Sequence, residues 1–268
     1  MIKALALDGV TCTFPARAGG TGAYTAIAGV DLRVGEGEFV AVVGPTGCGK
    51  STLLNVAAGL LKPTSGSVAV FGEPLAGINR RSGYLFQTDA LMPWRSALNN
   101  VTAGLEFRGV SGDEARERAA DWLKRVGLAA HAHKYPHELS GGMKKRVALA
   151  QTLILDPKIL LMDEPFSALD VQTRSLMGNE LLALWSQDRK SVVFVTHDLE
   201  EAISLADRVC VLTSGPGTVK GIYTIDLPRP RKVAEIRFEP RFVQLYHDIW
   251  EDLRNEVMIS YERNKQRV

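Results

Sequence analysis

Phe39-Val-Ala-Val-Val43 runs straight into Gly44-Pro-Thr-Gly-Cys-Gly-Lys50-Ser51, and the fold follows from that junction. The continuous apolar run reads as a buried strand that ends in a glycine-rich turn, and residues 51–61 read as the helix that follows. A strand before and a helix after are what the G-x-x-x-x-G-K-[ST] pattern requires of a phosphate loop. Gly44, Gly47 and Gly49 let the backbone curl so that its N–H groups face phosphate oxygens. The helix opening at Lys50 adds the positive end of its dipole. The candidate nucleotide cradle is therefore Gly44, Pro45, Thr46, Gly47, Cys48, Gly49, Lys50, Ser51 and Thr52. Lys50 is suited to the β- and γ-phosphates of ATP and the Ser51 hydroxyl to Mg²⁺. Cys48 contributes only a backbone donor.

Ile159-Leu-Leu-Met-Asp163-Glu164 supplies a second buried strand with two carboxylates at its C-terminal end, where parallel sheets bind ligands. Asp163 suits the water shell of Mg²⁺, and Glu164 suits a general base for the attacking water. Val195-Thr-His197-Asp198 ends another apolar strand, which places His197 beside the γ-phosphate as a donor.

Around these segments, residues 2–8 and 30–34 alternate apolar and polar, the pattern of edge-exposed strands. Residues 68–71 form a short strand closed by Gly72. A mostly helical stretch runs from about 98 to 155, punctuated by Gly127 and Pro136. After it, runs at 159–162 and 192–195 flank a helical pattern near 176–185. Residues 209–212 and 222–227 flank Ser-Gly-Pro-Gly, a hairpin signal. Strands alternating with helices predict an α/β fold with a mainly parallel, covered sheet and a helical insertion in its middle.

Composition agrees. The 268 residues carry a net charge of +2 and three cysteines without paired spacing, as in a reduced cytosolic protein without a nucleic-acid scaffold. No apolar run approaches the roughly 20 residues needed to span a bilayer. Asp8 interrupts the N-terminal apolar stretch too early for a signal peptide, so the chain is expected to stay where it was made. His131, His133 and His137 lie in a polar loop with no nearby cysteine, which argues against a metal site.

Leu139-Ser140-Gly141-Gly142-Met143 decides among nucleotide-binding families. It opens another helix, so it offers a second set of bare backbone donors. One phosphate chain does not need two such sites from one chain, whereas a head-to-tail dimer does. Each copy's phosphate loop would bind ATP while residues 140–142 of the other copy close over the γ-phosphate.

Leu-Ser-Gly-Gly is similar to the signature motif of ABC ATPases, and the resemblance runs from about residue 3 to 230. It implies a P-loop NTPase with a RecA-like mainly parallel sheet, an antiparallel β-subdomain and an inserted α-helical subdomain at about 88–157. Residues 1–230 would form the ATPase domain and 231–268 an amphipathic helical tail. Phe14 resembles the aromatic that stacks on adenine. Gln87 resembles the glutamine that touches Mg²⁺ and senses the transmembrane partner. Ser167-Ala-Leu-Asp170 resembles the loop linking the two sites across the dimer. The pattern departs at Lys144-Lys145-Arg146, where Arg-Gln-Arg is commoner, and at Ala150-Gln151-Thr152, where Ala-Arg-Ala is more usual.

Leu91-Met-Pro-Trp94-Arg95, Glu164-Pro-Phe-Ser-Ala-Leu-Asp170, Gly215-Pro-Gly217 and Asp226-Leu-Pro-Arg-Pro-Arg231 resemble the subfamily that imports nitrate, sulfonates and taurine. The resemblance implies an ATP-hydrolysing importer subunit, peripheral on the cytoplasmic face of the membrane. Its partners would be a second copy, transmembrane permease subunits and, indirectly, a substrate-binding protein. The alternatives are an exporter ATPase, a soluble ABC ATPase of DNA repair or translation, and a P-loop kinase. The soluble ATPases usually carry a coiled coil or two cassettes, and a kinase gives residues 140–142 no task. In the tail, Phe242, Leu245, Tyr246, Ile249, Trp250, Leu253 and Val257 share one helical face, expected to pack on its own domain. Arg229, Arg231 and Lys232 read as a solvated basic turn.

Overall fold

The computed structural model describes residues 3–15, 22–88 and 90–265. Ile2 of the first predicted strand, residue 89 of the predicted insertion and residues 266–268 of the predicted tail lie outside the described residues.

The central sheet has the order β10-β9-β3-β8-β7-β6. Its members are β3 (Phe39–Val43), β6 (Ser82–Leu85), β7 (Ile159–Asp163), β8 (Ser191–Val195), β9 (Arg208–Leu212) and β10 (Val219–Thr224). All but β10 run parallel. Every residue of β3, β7 and β8 is buried, which is why these strands are unbroken apolar runs with both faces covered. β6 escapes sequence reading because Ser-Gly-Tyr-Leu, an edge strand with one neighbour, carries no apolar run.

A second, antiparallel sheet has the order β2-β1-β4-β5, from β1 (Lys3–Phe14), β2 (Tyr24–Gly35), β4 (Ser65–Val70) and β5 (Glu73–Pro74). β1 is flanked on both sides and so is not the edge strand its alternation suggested. The alternation arises because Leu5, Leu7, Val10 and Cys12 face the core while the other face is open. That core is shared with α1 (Lys50–Ala57), which stops at Ala57, short of the predicted 61, where Ala58 caps it and Gly59 turns left-handed.

The insertion comprises α2 (Ala97–Phe107), α3 (Gly112–Arg125) and α4 (Gly141–Leu153). Ser96, Ser111 and Ser140 cap them, each hydroxyl accepting from a backbone N–H three residues on. Val101, Leu105, Ala119, Leu123, Val147 and Ile154 close its separate core.

The remaining helices are α5 (Val171–Asp188), α6 (Leu199–Leu205), α7 (Val233–Ile236) and α8 (Pro240–Lys265). Phe242, Leu245, Ile249 and Leu253 of α8 join Phe39, Phe194 and Trp185 in one cluster, so the tail helix packs on its own domain. Trp250 and Val257, expected on the same apolar face, are each 39% exposed at its margin.

The basic turn is solvated at Lys232, whose side chain is 72% exposed, but not at its two arginines. Arg231 is 6% exposed. It donates to the carbonyls of Ile203, Ser204 and Ala206 at the C-terminal end of α6, and to those of Ile225 and Leu227. A guanidinium there satisfies helix-end acceptors and opposes the negative end of the dipole. Arg229 lies 4.3 Å over the Trp185 ring and pairs with Asp207 at 2.7 Å. Among the described residues no helix is long and apolar enough to cross a membrane.

Candidate functional site

β3, β7 and β8 end side by side, and the turns leaving them gather most of the predicted residues around one cleft of about 540 Å³. Phe14, Thr46, Gly47, Gly49, Lys50, Ser51, Thr52, Gln87, Glu164 and His197 line it. Gly49 is left-handed at φ 102°, and a Cβ there would come within 2.8 Å of the Ala26 carbonyl oxygen, so the loop needs glycine at that point. Lys50 Nζ donates to the carbonyls of Gly44 (2.8 Å) and Pro45 (3.1 Å), which fixes the ammonium at the loop mouth. Cys48 lies buried beneath the loop, and burial pushes its thiol above the usual range, which leaves it a passive packing group.

Glu164 sits where the polar groups converge. One carboxylate oxygen is 3.0 Å from His197 Nδ1 and 3.5 Å from Gln87 Nε2; the other is 4.0 Å from Lys50 Nζ. Its backbone is left-handed (φ 44°), an unusual conformation for glutamate, and the Glu164 N–H donates to the Val195 carbonyl at 2.9 Å. Asp163 lies deeper. Burial raises its carboxyl, the Ser51 hydroxyl bonded to it opposes this, and the Glu164 charge adds to the rise. Tyr84 also bonds Asp163, and burial together with that carboxylate raises the phenol. Ser51 and Asp163 are thus a touching pair of hard oxygen donors, which fits Mg²⁺.

Ser140, Gly141, Gly142 and Asp170 do not line this cleft. A Cβ on Gly142 would meet the Thr173 side chain at 2.9 Å, so the signature turn lies against the start of α5 instead. The Ser140 hydroxyl caps α4, and Asp170 caps α5 by accepting from Gln172 and Thr173.

Arg174 ties the Asp170 loop to the His197 turn. Its guanidinium donates to the Leu169 carbonyl at 3.1 Å and to Asp198 at 2.7 Å. Beside it, burial pushes the Glu201 carboxyl up to about 7; the Thr196 hydroxyl, donating at 2.6 Å, opposes this and the Asp198 charge adds to it. Folded Glu201 therefore keeps a proton that the unfolded chain has lost. Its contribution to stability is complete below about pH 4.5 and is lost as pH rises through about 7. Glu201→Gln is expected to raise the melting temperature relative to wild type at about pH 8, with the difference shrinking toward about pH 4.5. A difference that does not change with pH would show that Glu201 is not the group responsible.

Two contributors escaped the sequence reading. Tyr24 pairs with Phe14 across β1 and β2 and donates its hydroxyl to the Gly47 carbonyl at 3.2 Å, which makes it a second aromatic at the cleft mouth. Tyr24 opens β2 well ahead of the alternating run at 30–34, so that run carried no signal for it. The tip of the β9–β10 hairpin docks on β2 through Gly217 N–H to Ala26 O (2.8 Å) and Ala28 N–H to Gly217 O (2.9 Å). A side chain on Gly217 would run into the Cys48 carbonyl, so Gly215-Pro-Gly217 buttresses the phosphate loop from behind.

A phosphate loop and two acidic residues at the C-terminal ends of a parallel sheet, with a helical insertion between them, define a P-loop NTPase. Residues 27–167 match the family described as ABC transporter. The chain is 43% identical to the nitrate import ATP-binding protein NrtD of Synechocystis, over 88% of this chain and 91% of that protein. It is 43% identical to the taurine import ATP-binding protein TauB of Burkholderia pseudomallei, over 88% and 92%. A dimeric ATP-binding cassette, MJ0796, bound to ADP and Pi superposes with a TM-score of 0.74 at 36% identity, covering 84% of this chain and 100% of that one. The chain belongs to the ABC transporter family, as an ATP-binding and ATP-hydrolysing subunit.

Proposed function

We propose that this chain powers an importer of small compounds of the nitrate, sulfonate and taurine class. It works as an ATP-dependent dimer on the cytoplasmic face of a membrane, beneath two permease subunits supplied by a substrate-binding protein; nucleic acid is not a partner. The observation that carries the reading is the position of residues 140–142. They form a donor-rich helix start outside their own chain's nucleotide cleft, free to complete the cleft of a second copy. The dimeric state of MJ0796 and the import functions named for NrtD and TauB support it.

Within each cleft, Phe14 and Tyr24 stack against the base, and the loop N–H groups with Lys50 hold the phosphates. Ser51, Asp163 and Gln87 would hold Mg²⁺, which would neutralise phosphate charge. Glu164 takes the proton of the attacking water, oriented by His197 and Gln87. Asp170 carries the state of one cleft to the other. The permease docks in an apolar groove of about 320 Å³ between β6 and the insertion, lined by Tyr84, Phe86, Met92, Phe107 and Leu155. Phe107 is 80% exposed there, and Trp94, on the loop after Gln87, is 73% exposed.

Light scattering on the Glu164→Gln chain with and without ATP tests the composite site. The expected result is a monomer that becomes a dimer on adding ATP, and stays monomeric when Ser140→Arg is added. A dimer that tolerates Ser140→Arg would remove residues 140–142 from the site.

A further inference from the structure

The Lys144-Lys145-Arg146 departure after the signature acquires a task in the fold. Lys145 is 4% exposed. Its stem runs between Leu85, Leu149, Met162, Pro165 and Phe166, and its ammonium donates to the Gln87 carbonyl at 2.6 Å. Arg146, by contrast, turns outward to Glu180 at 2.9 Å. The stem therefore packs behind the turn that follows Glu164, while the charged end holds the backbone of the residue whose side chain reaches Glu164. A glutamine at this position would carry its donor one covalent bond, about 1.5 Å, closer to the helix and fall short of that carbonyl.

We propose that Lys145 is a positioning residue that clamps the Gln87 loop to the signature helix, so that the helical insertion and Gln87 move as one body. A charge-assisted hydrogen bond in an apolar setting is strong and short, whereas a backbone carbonyl on an exposed loop would otherwise exchange freely with water. The clamp makes the Gln87 approach to the phosphates depend on where α4 and its signature turn lie. It deepens the reading of Gln87 given above and rests on it for its catalytic consequence.

Amide hydrogen exchange on the full chain, without nucleotide, tests the clamp directly. In Lys145→Met, which fits the same apolar channel, exchange across residues 86–95 is expected to quicken roughly ten- to hundredfold. Exchange in the phosphate loop and along α4 stays at the wild-type rate, and the melting temperature stays close to wild type. Lys145→Gln, whose donor falls short, is expected to act in the same direction, and it decides the matter if the methionine variant folds poorly. Unchanged exchange at 86–95, or a rise spread evenly over the whole insertion, overturns the proposal.

Turnover separates the clamp from the role of Gln87. Gln87→Ala is expected to slow hydrolysis, and adding Lys145→Met to it to cost far less than it does in the wild-type chain, because the clamp reaches hydrolysis through Gln87. Additive losses in the double variant overturn the proposal. Normal turnover in Gln87→Ala would sink the role of Gln87 instead, with the exchange result still deciding the clamp.

Discussion

Replacing Glu164 with glutamine is expected to leave ATP binding intact and to cut turnover by roughly 10²–10⁴. Binding rests on the loop amides and on Lys50, which the substitution leaves in place, removing only a carboxylate charge 4.0 Å from the ammonium. The amide keeps the size of the carboxylate and its contacts with His197 and Gln87, at 3.0 and 3.5 Å in the wild-type chain. What it loses is the capacity to take a proton. Steady-state hydrolysis beside an equilibrium ATP-binding measurement separates the two quantities. Near-normal turnover would remove Glu164 from the role of base and leave water activation to another group in the cleft.

The largest stability effect is expected at Arg231. Burial lowers its guanidinium to about 10, so it stays charged at neutral pH although buried. Arg231→Met would keep much of the volume and abandon five carbonyls, three at the end of α6 and two in the turn after β10. Leaving buried acceptors without partners costs about 3 kcal/mol in total, or roughly 5–10 °C in melting temperature for a chain of this size. Arg231→Lys should recover little, because an ammonium lacks the planar fork that reaches both sets at once. A melting temperature within a degree or two of wild type would show that water or a neighbouring donor takes over those carbonyls.

The contrast between these residues shows what the sequence made legible. The phosphate loop, the Asp163–Glu164 strand end and the His197 strand end are local patterns: an apolar run and the polar residues that leave it are contiguous. The fold class and the cleft follow from them. β6 has no such run, because a glycine and a serine suffice where only one neighbour and one covered face are needed. Tyr24 reaches the cleft only through cross-strand pairing with Phe14, and Arg231 reads as surface charge because its acceptors on α6 lie far back in the chain. Lys145 stood out as a change of residue type within the signature pattern, but its reach to Gln87 depends on how the insertion folds back over β6.

The tail helix carries a consequence for how this chain can be cut and joined. Phe242, Leu245, Ile249 and Leu253 share a cluster with Phe39 and Phe194 of the central strands. As its apolar face suggested, α8 is a wall of the ATPase core although it lies beyond residue 230. A fragment ending at residue 230 would expose that wall's apolar seat, so a shortened chain invites insolubility, whereas fusions placed after Lys265 leave the seat covered.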